Sequence, residues 1–157
     1  MKRISVVLFL LLAGLAPIQA QTAAEKIAAG RTALAAHDVA TARTRFSEAL
    51  GIEPSNQAAA LLLGLTRVAG IAGQSASHTF LNTLAVTATG RDVFHWDAPL
   101  PHDVNGNIVL PASYNLTTVA SFWQASVLPE TTAARANLAL VTNTSFLLTL
   151  FPLETTM

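Results

Sequence analysis

Four side chains able to do chemistry lie within nine residues of one another: His95, Asp97, His102 and Asp103. Neutral imidazole and carboxylate are the usual oxygen and nitrogen ligands of Zn²⁺, so this run is where a metal-dependent hydrolase or a metal-binding site would be centred. Its spacing fits no zinc pattern, and Pro99 and Pro101 interrupt it; a solvated loop accounts for the same residues. Asp103-Val104-Asn105-Gly106-Asn107 begins like a calcium loop, but the glycine and the closing carboxylate that such a loop needs fall on Ile108 and Tyr114. The same Asn105-Gly106 pair, between Asp103-Val104 and Asn107-Ile108-Val109-Leu110, reads at lower cost as a β-hairpin turn whose two central residues take positive φ. Pro111 ends the second strand.

Other chemical patterns are weaker. Leu128-Pro129-Glu130-Thr131 copies the first part of a sortase signal, yet Thr132 stands where glycine is required, and a helix start at Pro129 explains it. Asn115 and Asn143 open Asn-x-Ser/Thr sequons; Asn115 is better placed to precede or cap a helix. No serine lies in a Gly-x-Ser-x-Gly elbow, and no glycine-rich loop could cradle a phosphate. The chain is therefore expected to carry no catalytic residue, no cofactor and no resident metal. Phe94, Trp96, Phe122 and Trp123 could form a sugar- or peptide-binding surface, although sealing a helical core is the commoner use of such residues.

Composition narrows the classes further. The 157 residues are 52% hydrophobic and 11% charged, with nine basic and nine acidic side chains and no cysteine. That excludes a disulfide framework, a thiolate metal site, a cysteine nucleophile and a lipid-modified cysteine. It also gives no bulk charge with which to hold nucleic acid.

Met1-Lys2-Arg3, then an apolar run from Ile4 to Ala16, then Pro17 and Ala20, is the layout of a secretory signal peptide cut after Ala20. Thirteen apolar residues in a helix cover about 20 Å, short of the roughly 30 Å hydrocarbon core of a bilayer. After cleavage, seven basic residues face nine acidic ones, about −2 in net charge. The mature protein is expected in a periplasm or outside the cell, without a transmembrane segment.

The elements that must position any site are mainly helical. Ala24, Ile27, Ala28, Arg31 and Leu34 follow helical spacing, as do Val39, Ala42, Phe46, Ala49 and Leu50 after a break at His37-Asp38. Asp38 can cap the second helix, and Gly51 and Pro54 end it. Residues 57–71 form a third helix, apolar almost all round and so buried on several sides. Later, Leu116, Val119, Ala120, Trp123 and Val127 fall at helical spacing, and a further helix runs from Pro129 to Val141. The apolar run 145–152 suits a buried strand or a short helix equally.

An offset of 34 residues relates Gly30 to Gly64, Ala42 to Ala76, Phe46 to Phe80 and Leu50 to Leu84. On these residues, with Ala49 and Pro54, the chain resembles the tetratricopeptide repeat family, with units at 23–56 and 57–90. The resemblance implies antiparallel helical hairpins in which Gly30 and Ala42 allow close approach and Phe46 fills the space between units. It departs from the family at Lys26 and Ala33, where bulky aromatics are usual, and at Thr83 and Ala88, which replace the Ala49 and Pro54 of the first unit.

The expected organisation is thus a signal peptide (1–20), TPR-like helical repeats (21–90), a loop with a β-hairpin insertion (91–113) and C-terminal helices that cap the array (114–157). The resemblance implies a non-catalytic protein-interaction or scaffold module of the bacterial cell envelope. Its concave face would carry Arg31 and Leu34 from the first unit and Leu61, Leu65 and Val68 from the second. A mostly apolar groove suits an apolar helix, and the chain's own 114–142 segment, folding back, is one candidate. Two repeats are fewer than the three or so such arrays usually need, so the reading also includes a portion of a longer protein or half of a homo-oligomer.

Overall fold

The computed structural model describes residues 21–86, 93, 101–112 and 114–150. Residues 1–20, read above as a signal peptide, and His95, Asp97, Phe94 and Trp96 lie outside the described residues. The chain is mainly helical: α1 (Ala23–Ala35), α2 (Val39–Ile52), α3 (Gln57–Gly70), α4 (Ser75–Thr83), α5 (Leu116–Phe122), a π-helical turn (Trp123–Val127) and α6 (Leu128–Leu138).

Local chemistry sets the starts of these helices. Thr22 and Glu25 form a reciprocal capping box on α1. Asp38 accepts from Thr41 N–H at α2, Asn56 from Ala59 N–H at α3, and Asn115 from Thr118 N–H at α5. Helix α2 continues through Gly51 and stops at Glu53, the residue whose helical conformation Pro54 disfavours.

The reversal between α1 and α2 takes three residues. His37 enters the left-handed region (φ 61°), with Asp38 N–H on Ala33 C=O and His37 N–H on Leu34 C=O, the two bonds of a Schellman turn. The end of α3 is different. Ile71 stays right-handed (φ −57°, ψ −43°), so α4 does not double back along α3.

Helices α1, α2, α3 and α6 pack side by side in that order, each antiparallel to the one before. Lys26 Nζ on α1 meets Glu48 on α2 at 2.7 Å; a Cβ on Gly70 of α3 would lie 3.7 Å from Val39 of α2; Arg67 of α3 meets Glu130 of α6 at 3.0 Å. Phe46, Ala42, Ala49, Ala59 and Ala60 are fully buried, with Leu62 and Leu63 beside them. Alanine-rich faces bury little area each, so the helices must come close together to exclude water.

Gly30 makes the α1–α2 contact possible, since a Cβ there would lie 2.4 Å from the Phe46 ring. Gly64 does the same for α3 and α6: a Cβ would lie 3.0 Å from Leu138 and 3.3 Å from the Ala134 carbonyl. By the 34-residue offset, the counterpart of the Gly30–Phe46 contact would be one between Gly64 and Phe80. Phe80 instead stacks on Phe122, ring centroids 4.4 Å apart, and joins α4 to α5.

From Leu116 to Leu138 the chain is one helical run with a π turn in it, where Leu128 N–H bonds to Trp123 C=O, five residues back. Pro129 follows directly. A proline has no N–H to donate, and its ring would strike the carbonyl four residues back; the wider π turn precedes it and accommodates it.

At 101–110 the expected hairpin is reduced to a turn and a single antiparallel bridge between His102 and Ile108. No strand is present among the described residues. Pro101 and Pro111 bound the segment, and with no third strand or covering helix a two-stranded pair has little to hold it. Gly106 takes positive φ (82°), whereas Asn105 is not among the positive-φ residues. The turn is therefore of the kind in which only the residue after the turn is left-handed.

Candidate functional site

The residues expected to line a binding face divide into two groups. Leu61, Leu65 and Val68 fall one and two turns apart on α3. Leu61 is half-buried, but Leu65 is 46% and Val68 50% exposed, unusual for the most apolar helix of the fold. Arg31 and Leu34 on α1 are both half-buried.

What covers α1 is the segment 143–150. Asn143 N–H donates to Gln57 Oε1 at the start of α3 (2.9 Å). The chain then turns, with Ser145 N–H on Asn143 Oδ1 and Phe146 N–H on Asn143 C=O. Leu148 packs against the buried cluster of Ala33, Ala42, Phe46, Leu62 and Leu63, as Leu34 does. Arg31 Nη2 then donates to Thr149 C=O at 2.6 Å. Neither the strand nor the short helix expected here forms up to Leu150; the backbone has no regular partner and is tied at both ends by side chains.

The folding-back helix is found elsewhere. Helix α6 covers the flank of α3 that carries Gly64, and it is fixed there by a charged cluster that the sequence analysis did not single out. Glu130 accepts from Arg43 of α2 (2.8 Å) and from Arg67 of α3 (3.0 Å), while Arg67 Nε donates to Asn137 Oδ1 (3.0 Å). Its side chain is 17% exposed. Burial pushes the Glu130 carboxyl up, but the hydrogen bonds and charges of Arg43 and Arg67 more than offset this and hold it below the usual range. Nothing in the local sequence marks this cluster: Glu130 is 63 residues from Arg67 and 87 from Arg43.

The other chemical candidates are surface features. His102 and Asp103 are exposed. The Asp103 carboxylate accepts from Asn105 N–H, Asn107 N–H and Asn107 Nδ2, which holds its pKa below the ordinary value. These bonds stabilise the turn. Among the described residues no group of three or more histidine or carboxylate side chains is arranged to hold a metal. Trp123 is 57% exposed, while its neighbour Phe122 is taken up by Phe80. A cleft of about 490 Å³ opens between the start of α2, the end of α3 and α4, with His37, Arg43, Gly70 and His78 among its walls.

The run from Gln57 to Thr83 is long and apolar enough to cross a membrane by length and composition. Its first half, however, buries Ala59, Ala60, Leu62, Leu63, Gly64 and Thr66 among neighbouring helices, as a core helix does. Comparison of the chain with protein-family models, with curated proteins and with solved structures gave no match.

Proposed function

We infer that this protein is an exported, non-catalytic protein-interaction or scaffold module of the bacterial cell envelope, built on a TPR-like helical array. The observation that carries the reading is the exposure of Leu65 and Val68 at 46% and 50% on α3, a helix otherwise packed on two sides. Apolar side chains held rigidly at the surface of a core helix cost solvation unless a partner covers them.

The array differs from a plain tandem in one respect. Its first unit is α1 with α2, where Gly30 meets Phe46. Its second pairs α3 with α6, where Gly64 meets Leu138, and Ala134 and Leu138 repeat the four-residue spacing of Ala42 and Phe46. The second unit is divided, and residues 71–127 are an insertion between its two helices. The export reading rests on residues 1–20, and α1 begins with its cap at Thr22, immediately after the expected cleavage site.

The test is in-cell photocrosslinking from a probe placed at Leu61, compared between the wild-type chain and a Leu65→Glu/Val68→Glu variant. A discrete crosslinked partner in the wild type that disappears in a variant of unchanged thermal midpoint supports the reading. Identical crosslinks in both proteins would remove its basis.

A further inference from the structure

We propose that Asn105 is a site of spontaneous deamidation, withheld while the turn at 103–107 is closed and released when it opens, and that the product keeps the turn from closing again. The inference stands apart from the interaction reading, which leaves the Asp103-Val104-Asn105-Gly106-Asn107 motif without a role.

The chemistry is a ring closure. The backbone nitrogen of the residue after an asparagine attacks the asparagine Cγ, and the new N–C bond completes a five-membered succinimide. The Cγ–Nδ2 bond breaks, the backbone proton passes through solvent to the leaving nitrogen, and ammonia departs. Water then opens the ring at one of its two carbonyls. One opening gives aspartate, and the other gives isoaspartate, in which the main chain runs through Cγ. Solvent water is the only co-reactant.

Three observations place this chemistry at Asn105. First, it precedes Gly106, and none of the other six asparagines precedes a glycine. A side chain on the following residue crowds the attacking nitrogen. Gly106 has none, and the space around a Cβ built there is empty to 4 Å. Second, residues 102–110 are exposed, so water reaches both carbonyls of the ring. Asn105 gives its backbone N–H to Asp103 Oδ1 at 2.8 Å, while among the described residues no hydrogen bond holds its side-chain amide. Third, the closed turn withholds the attacking nitrogen. Gly106 N–H donates to Asp103 C=O at 3.0 Å, so the proton that the attack must release is tied up inside the turn.

Asp103 holds this arrangement. Its carboxylate accepts from Asn105 N–H, Asn107 N–H and Asn107 Nδ2, and its own N–H donates to Asn107 C=O at 2.9 Å. It is a positioning residue that acts through the Gly106 backbone. Beyond the turn, pairing continues only through the His102–Ile108 bridge and the Val109 N–H on Pro101 C=O, so opening is local and costs little.

The product alters the turn in two ways. Either form sets a second carboxylate two residues from that of Asp103, and like charges repel. Isoaspartate also adds a methylene to the main chain between 105 and 106, which takes the Gly106 and Asn107 N–H groups out of register with Asp103. A turn that opens and recloses becomes one that stays open.

The experiment incubates the full chain at neutral pH, folded and in concentrated urea, as wild type, Asp103→Ala and Asn105→Gln. Peptide mapping by mass spectrometry reads amide-to-acid conversion at each asparagine and separates isoaspartate from aspartate. Conversion is expected at Asn105 ahead of the other six, mostly to isoaspartate, faster in urea than in the folded chain, and absent at 105 in Asn105→Gln. Asp103→Ala should raise the folded rate about fivefold or more, which is what one lost hydrogen bond does to an opening equilibrium, and should leave the rate in urea unchanged. Earlier conversion at another asparagine, or equal folded rates in wild type and Asp103→Ala, overturns the proposal.

The comparison of folded and urea-unfolded wild type requires no substitution, and equal rates there would mean that the turn withholds nothing. Amide hydrogen exchange tests the consequence. Exchange at 105–107 is expected to rise in the converted chain while α1, α2 and α3 keep their protection. Unchanged protection of the Gly106 and Asn107 amides after conversion overturns the claim that the product holds the turn open.

Discussion

Gly64 and Leu138, 74 residues apart in sequence, meet so closely that a Cβ on Gly64 would stand 3.0 Å from two carbons of the leucine side chain. The same relation holds between Gly30 and Phe46, but with less slack. There the added atom would lie 2.4 Å from a ring that is fully buried.

These two contacts predict different outcomes for the same substitution. Glycine to alanine in a helix interior gains about 1 kcal/mol of propensity, and overpacking a rigid core costs about 1–3 kcal/mol. With the ring contact as short as it is, the upper end of that cost applies, and Gly30→Ala is expected to destabilise the protein by up to about 2 kcal/mol. Gly64→Ala should cost less than Gly30→Ala, because Leu138 is 40% exposed and can turn away, leaving the Ala134 carbonyl at 3.3 Å to shift by a few tenths of an ångström. Urea denaturation of both variants, and of Gly30→Ala in a Phe46→Leu background where the cost should shrink, checks the argument.

Glu130→Gln removes the charge that Arg43 and Arg67 share, and should cost about 1–2 kcal/mol at neutral pH. The sign of the pH dependence follows from the carboxyl's lowered pKa. A group held below its unfolded value stabilises the fold above that value, about 4.3 for glutamate, and the contribution is lost as pH falls through the folded value. Asp38 is shifted in the same direction by its helix cap, so the informative quantity is the difference between proteins. The gap in thermal midpoint between wild type and Glu130→Gln should be widest near pH 7 and narrow steadily below about pH 4.5. A gap that does not change with pH would contradict this.

Ala85 ends α4 at φ 59°, with Val86 N–H on Leu81 C=O and Ala85 N–H on Asn82 C=O. This is a second Schellman turn, and an alanine in the left-handed region costs about 1 kcal/mol relative to glycine. Ala85→Gly is expected to raise stability by about 0.5–1 kcal/mol, measured as an upward shift in thermal midpoint. A loss of stability would mean that the left-handed turn is not formed in solution.

Signal cleavage after Ala20 would leave Gln21 as the first residue and keep the Thr22–Glu25 capping box whole. Intact mass of the protein recovered from the periplasmic fraction should fit a chain starting at Gln21. Blocking cleavage with Ala20→Arg should leave the precursor with the membrane fraction, and recovery of full-length soluble chain would contradict the export reading.

By itself the sequence determined the parts whose causes are local. The caps at Asp38 and Asn115, the stop at Pro54, the helical stripe that buries Ala42, Phe46 and Ala49, and the close approach at Gly30 all depend on residues a few positions apart or on adjacent helices. The register at 101–110 was legible as a turn, but not as one that leaves Asn105 outside the left-handed region.

Only the tertiary structure decided which distant surfaces meet. The 34-residue offset related Gly64 to Gly30 and Phe80 to Phe46, but Gly64 and Phe80 do not repeat the Gly30–Phe46 contact, because Ile71 stays right-handed where His37 had reversed the chain after α1. The exposed flank of α3 was then covered by α6, which brings Leu138 for the glycine and Glu130 for two arginines. Likewise, nothing local in residues 143–150 says that Leu148 packs against the core cluster and that Arg31 takes the Thr149 carbonyl. Such pairings are chosen by competition among all the apolar faces of a chain for cover, and that competition is settled by the assembled fold rather than by spacing along the sequence.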